Sequence, residues 1–283
     1  MKPFILLSLL FVATITAMAQ KEPRLLGTCT AKDLGQQPYA TWYNPNYESY
    51  IPTNEIIGEL KNLRPEKFTL KIVFGSWCGD SRRELPRMMK VLNAIGFPEK
   101  NIQLIGVYDS MAVYKQAPKR EEQGLNIYRV PTFIVYKKNE EIGRIVEYPV
   151  ESLERDLLKI LRGQPYLPNY KGYPQINAWL KQGLLSDPNV DPRGLSQQIR
   201  NDIAREGELN SCGYVLLRRN EVNEAITVFR INTSLFPHSA NCFDSLGEAY
   251  LVAGLKDKSK TCYQRVLELD PQHANAKAQL EKL

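Results

Sequence analysis

An α/β sandwich followed by an all-α module of helical hairpins is the architecture the sequence predicts. Three observations carry it. Between residues 53 and 163, short apolar runs of strand length alternate with amphipathic helical segments. A stretch rich in Pro, Gly, Tyr and Asn follows, over 164–194. From about 195 onward the apolar pattern is helical throughout, and it repeats with a period of 34 residues.

The chain begins "MKPFILLSLLFVATITAMA" over 1–19. Lys2 supplies a short positive region, Phe4–Thr16 is almost wholly apolar, and Ala17-Met18-Ala19 offers a small-x-small cleavage pattern before Gln20. This predicts a secretory signal peptide. No cysteine follows the cleavage pattern, so no lipoprotein anchor is expected, and no later segment is apolar enough to span a bilayer. The expected product is a soluble protein secreted across the inner membrane into the bacterial periplasm. Residues 20–52 form an N-terminal extension.

Ile56, Ile57, Leu60 and Leu63 recur at helical spacing and predict a helix over about 53–63. "FTLKIVFGS" (68–76) and "IQLIGVY" (102–108) read as buried strands. Between them, 82–95 is a helix with Leu85, Met88, Met89 and Leu92 on its apolar side. "TFIVYKK" (132–138) and "EIGRIVEY" (141–148) flank Asn139 as a hairpin, and 150–163 is a closing amphipathic helix. The 164–194 stretch is expected to be a linker with one short helix near 175–182.

In the C-terminal part Gly213 recurs as Gly247, Ala225 as Ser259, Phe229 as Tyr263 and Pro237 as Pro271. Small residues where two helices cross, an aromatic on the second helix and a proline between units resemble tetratricopeptide (TPR) repeats. The resemblance implies a helical module over 195–283. It would hold repeats at about 206–239 and 240–273, plus a capping helix, and would bind a protein or peptide partner.

"SWCGDSRRELPR" (76–87) follows the first strand and opens a helix; Pro86 comes eight residues after Cys78, and "RVPTFIVY" (129–136) places a proline turn directly before a strand. Together these resemble the thioredoxin-like superfamily, over about 55–163, within a single-cysteine CGDS-type, CxxS variant. The resemblance implies a thioredoxin-like sandwich at 53–163 with Cys78 as nucleophile. Pro86 would be the helix kink and Pro131 a cis-proline facing the sulfur. Trp77, Val130 and Pro131 would shape the groove for an extended peptide. Pro131 is therefore expected cis and within about one contact shell of Cys78.

The departures define the chemistry. The second cysteine of the family is Ser81 here, its usual intervening proline is Asp80, and its buried acid is Ile72. A thiolate at a helix N-terminus is stabilised by free N–H groups and by the dipole. It can attack a disulfide, but Ser81 cannot resolve the mixed disulfide that forms. Net dithiol oxidation within this motif is excluded; isomerase-like shuffling, thiol-dependent reduction and covalent trapping remain open. Asp80 favours the helix dipole yet repels a thiolate, with Arg82 and Arg83 available to offset that repulsion.

Cys212, Cys242 and Cys262 fall within repeat helices, where buried structural thiols are expected, and a Cys242–Cys262 disulfide is an alternative. Cys29 is a candidate resolving thiol. His238 and His273 follow repeat turns and show no zinc spacing, so no metal and no cofactor are expected. There is no phosphate-binding or dinucleotide motif, and the net charge of +6 comes from dispersed residues, which argues against nucleic acid. Two functions follow. One is an extracytoplasmic thiol–disulfide exchange protein acting on protein thiols and disulfides through Cys78, with Ser81 and Asp80 beside it. The other is a non-catalytic adaptor in which both parts bind protein.

Overall fold

The computed structural model describes residues 23–283, so the expected signal segment lies outside the described residues. A mixed five-stranded sheet with flanking helices is followed by a helical C-terminal region. The strands are β1 (Gly27–Cys29), β2 (Phe68–Phe74), β3 (Ile102–Gly106), β4 (Thr132–Lys137) and β5 (Glu140–Val146), in spatial order β1-β3-β2-β4-β5. β2 and β3 are parallel, with Leu70 opposite Ile102; β1–β3, β2–β4 and β4–β5 are antiparallel. The β4–β5 turn places Lys138 and Asn139 at positive φ, as a tight hairpin requires.

The helices of this half are α1 (Ala31–Leu34), α2 (Ala40–Ser49), α3 (Asn54–Asn62), α4 (Gly79–Ala94) and α5 (Leu153–Leu161). Strand alternation sorts the side chains. Leu70, Ile72 and Phe74 of β2 meet the apolar sides of α2 to α5, whereas Val73, Ile105 and Ile134 face the opposite way. That second face is covered by the long connection 107–131, through Ala117 and Ile127. β1 and α2 were not expected from sequence. α2 mixes aromatics with Asn and carries Pro45 inside it, so it shows no clean apolar stripe. The extension is nonetheless fastened down: Glu154 of α5 accepts from Tyr50 Oη at 2.6 Å and from Thr53 N at 3.2 Å.

The helical region comprises α6 (Tyr173–Lys181), α7 (Pro192–Ile199), α8 (Glu206–Arg218), α9 (Val222–Leu235), α10 (Ala240–Val252), α11 (Lys256–Leu269) and α12 (Ala274–Leu280). α8–α9 and α10–α11 are two hairpins built alike. A Cβ on Gly213 would lie 2.5 Å from the Phe229 ring, and one on Gly247 would lie 3.0 Å from the Tyr263 ring. The 34-residue recurrence is thus one helix crossing made twice. Tyr173, Ile176 and Trp179 of α6 are buried with α8 and α9, so much of the expected linker belongs to the helical core. Tyr128 and Val146, from the sheet half, join that same core.

Candidate functional site

β2 and β3 end at the same edge, where Phe74 is level with Gly106. The chain leaves β2 through Gly75-Ser76-Trp77 and enters α4 at Cys78. Gly75 is required there: a Cβ would lie 2.5 Å from the Trp77 ring, which folds back over it. The Trp77 indole Nε1 donates to Val107 O at 2.9 Å, fixing the ring on the end of β3. α4 starts three residues before the expected helix, so Cys78 is its N-cap, in extended conformation with φ −88°. The first N–H groups of the helix are the ones a sulfur at this position can engage.

Cys78 is half-buried, and its Sγ–H donates to Val130 O at 3.2 Å. The Val130–Pro131 bond is cis. Val130 and Pro131 are both buried, and Pro131 O accepts from Glu147 N at 2.7 Å. The structure therefore brings Trp77, Cys78, Val130 and Pro131 together at one sheet edge.

Ser81 stands apart in use. It is fully buried, and its Oγ accepts from Gly75 N at 3.1 Å, so it braces the turn beneath Cys78. Asp80 is one-third exposed and accepts from Arg83 Nη2 at 2.7 Å. Arg82 donates to Ser76 O at 2.7 Å and lies over the Trp42 ring. Arg83 meets the Asp80 charge directly. Ile72 is fully buried in the core, and no carboxylate stands at its place in β2.

The remaining thiols are elsewhere. All five cysteines are free. Cys29 lines a small cavity with Met89 and Ile102, away from the β2–α4 turn. Burial pushes the thiols of Cys29, Cys212 and Cys242 up to about 12 and that of Cys262 up to about 11.

Three charged groups near this edge were not found from sequence. Glu147 follows β5, and burial, with Asp80 adding to it, raises its pKa. Arg129 lies 3.8 Å from Glu147 and donates to Gly207 O of α8 at 2.6 Å. Lys115 is 4% exposed, in the connection that covers the second sheet face. Single charged residues in loops carry no periodicity, and the α8 partners of Arg129 and Lys115 lie 78 and 96 positions further along the chain. Among the described residues, no cluster of His, Cys, Asp and Glu is placed to hold a metal ion, and no helix is long and apolar enough to cross a membrane. No protein-family model matches the chain, and no curated protein matches it.

Proposed function

We propose that the protein exchanges thiols and disulfides through Cys78, as an extracytoplasmic thioredoxin-like protein whose TPR-like helical region binds a protein partner. One observation carries this reading. Cys78 is the half-exposed N-cap of α4, with its sulfur against the carbonyl before a cis-proline. An extended peptide laid along Val130 would bring a disulfide to that sulfur. The Cys78 thiolate would bond to one peptide sulfur while the other left as a thiolate and took a proton from solvent. Ser81 offers no second thiol, so release of the mixed disulfide calls for an external thiol or one on the substrate.

The test is alkylation of Cys78 by iodoacetamide against pH in the full chain, read by peptide mass mapping, together with trapping of a disulfide-containing model peptide. Labelling of Cys78 ahead of the other four thiols and a peptide adduct on Cys78, lost in Cys78→Ser, are expected. No adduct on Cys78 overturns the reading.

A second reading, the adaptor, is favoured by a groove of about 710 Å³ between α7, α9, α10 and α11. Phe243, Leu246 and Tyr250 form its apolar floor, and Arg193, Arg230 and Lys258 rim it. Among the described residues none of these three cations has a carboxylate in ion-pair range. An acidic peptide with apolar side chains matches such a groove. If this reading is right, Arg230→Glu with Lys258→Glu weakens capture of such a peptide while Cys78→Ser leaves it unchanged.

A further inference from the structure

Nothing in the chemistry above uses Lys115. It lies in the connection between β3 and β4, at φ +55°. Its backbone is pinned, with Lys115 N donating to Tyr108 O at 3.1 Å and Tyr108 N to Gln116 O at 2.9 Å. Its ammonium has three protons and three acceptors: Tyr128 O at 2.5 Å, Ser211 Oγ at 2.8 Å and Tyr114 Oη at 2.8 Å. None is a carboxylate, and among the described residues Lys115 makes no ion pair. A buried charge without a counter-ion is costly and is seldom kept without a use.

The position of this charge suggests the use. Tyr128 begins the four-residue segment that ends at Pro131. At Tyr128 the segment is held by Lys115 and by Ser211 of α8, whose Oγ donates to Tyr128 O at 2.6 Å. At Arg129 it is tied to Gly207 O. At Val130 it meets the Cys78 thiol. One short run of backbone therefore has the buried ammonium at one end and the cysteine at the other.

We propose that Lys115 is a positioning residue for Cys78: its ammonium fixes the Tyr128–Pro131 segment against the sulfur and, as the nearby buried positive charge, favours the thiolate. This rests on the thiol-exchange reading. The groups that face Lys115 are Tyr114 on its own loop, Tyr128 and Arg129 before β4, Glu147 after β5, Cys78 at the head of α4, and Cys212 on α8. Burial, and then Arg129, bring Lys115 down to about 7, while Glu147, Cys78 and Cys212 act in the opposite direction. The attraction is mutual, so a charged Lys115 stabilises a thiolate at Cys78 by as much as the thiolate stabilises the ammonium. Because Lys115 loses its proton near neutrality, the help it gives is confined to acid and neutral pH.

The experiment compares wild type, Lys115→Met and Lys115→Gln as full chains, checked for fold by circular dichroism. Iodoacetamide labelling of Cys78 is followed by peptide mass mapping at pH 6 and pH 9. Both variants are expected to label about threefold more slowly than wild type at pH 6, where Lys115 is charged, and equally fast at pH 9. Peptide mixed-disulfide formation should fall further in Lys115→Met than in Lys115→Gln, because glutamine can still donate to Tyr128 O. Equal labelling at pH 6, or a slowing that is the same at both pH values, overturns the proposal. Failure of wild type to form any mixed disulfide counts against the thiol-exchange reading instead, and the labelling ratios still decide the role of Lys115.

Discussion

The hydroxyl of Ser81 accepts the Gly75 amide at 3.1 Å from a fully buried position. Ser81, three residues after Cys78, is therefore a brace for the turn that carries Cys78. Ser81→Cys should give the motif a second thiol and raise insulin reduction above wild type, and wild type reducing insulin equally fast without added monothiol would show that another cysteine resolves. The same change weakens the acceptor for a buried amide, so a loss of about 1 kcal/mol in denaturant unfolding is expected alongside the gain.

Asp80 and Arg83 form an ion pair at 2.7 Å in the first turn of α4. Arg83→Ala leaves the Asp80 carboxylate without its ion-pair partner, two residues from Cys78. Cys78 alkylation at pH 7 should slow by about two- to threefold, a modest effect because both side chains are partly solvated. Adding Asp80→Asn should restore the rate. A double variant as slow as Arg83→Ala would place the effect in Glu84, the other acid that Arg83 contacts.

Gly213 and Gly247 occupy equivalent crossings with unequal room. A methyl group on Gly213 meets the Phe229 ring at 2.5 Å, and one on Gly247 meets Tyr263 at 3.0 Å. Both rings are fully buried and cannot swing away. Gly213→Ala should cost about 2–3 kcal/mol and Gly247→Ala about 1 kcal/mol, measured by urea unfolding. The reverse order would mean that the first hairpin yields more readily than the second.

Lys115, held down to about 7 by burial, binds fewer protons when folded than when unfolded between pH 7 and its ordinary value of 10.5. Its penalty on stability is therefore fully present below pH 7 and is relieved as pH rises toward 10.5. At full extent it is on the order of 4–5 kcal/mol. The stability of Lys115→Met relative to wild type should be highest near pH 6 and should fall steadily to pH 10. A difference constant across that range would remove the buried-charge account.

The strand-turn-helix that carries Cys78 and the recurring helix crossing were legible in the sequence for different reasons. Hairpins at a fixed period must cross in the same way, so Gly213 with Phe229 could be read from its copy, Gly247 with Tyr263. The strand-turn-helix around Cys78 could be read because an apolar run, a glycine and an amphipathic helix follow one another directly. β1 and α2 could not be read. β1 is three residues long and exists only because β3 offers it an edge, and α2 has its aromatics buried by α4 rather than arranged in a stripe.

By itself the sequence determined the order of elements, the single thiol at the head of a helix and the repeat period, because each is local or periodic along the chain. The resemblance in its motifs also anticipated Val130 and a cis Pro131 against that thiol; only the tertiary structure decided which charged groups stand behind them. The connection 107–131 closes over one sheet face, α8 reaches back to Tyr128 and Arg129, and a lysine without a counter-ion is buried between the two halves. These contacts join residues up to about a hundred positions apart. Hydrophobic burial and the need to satisfy buried polar groups select them after the chain has folded, and neither leaves a local mark on the sequence.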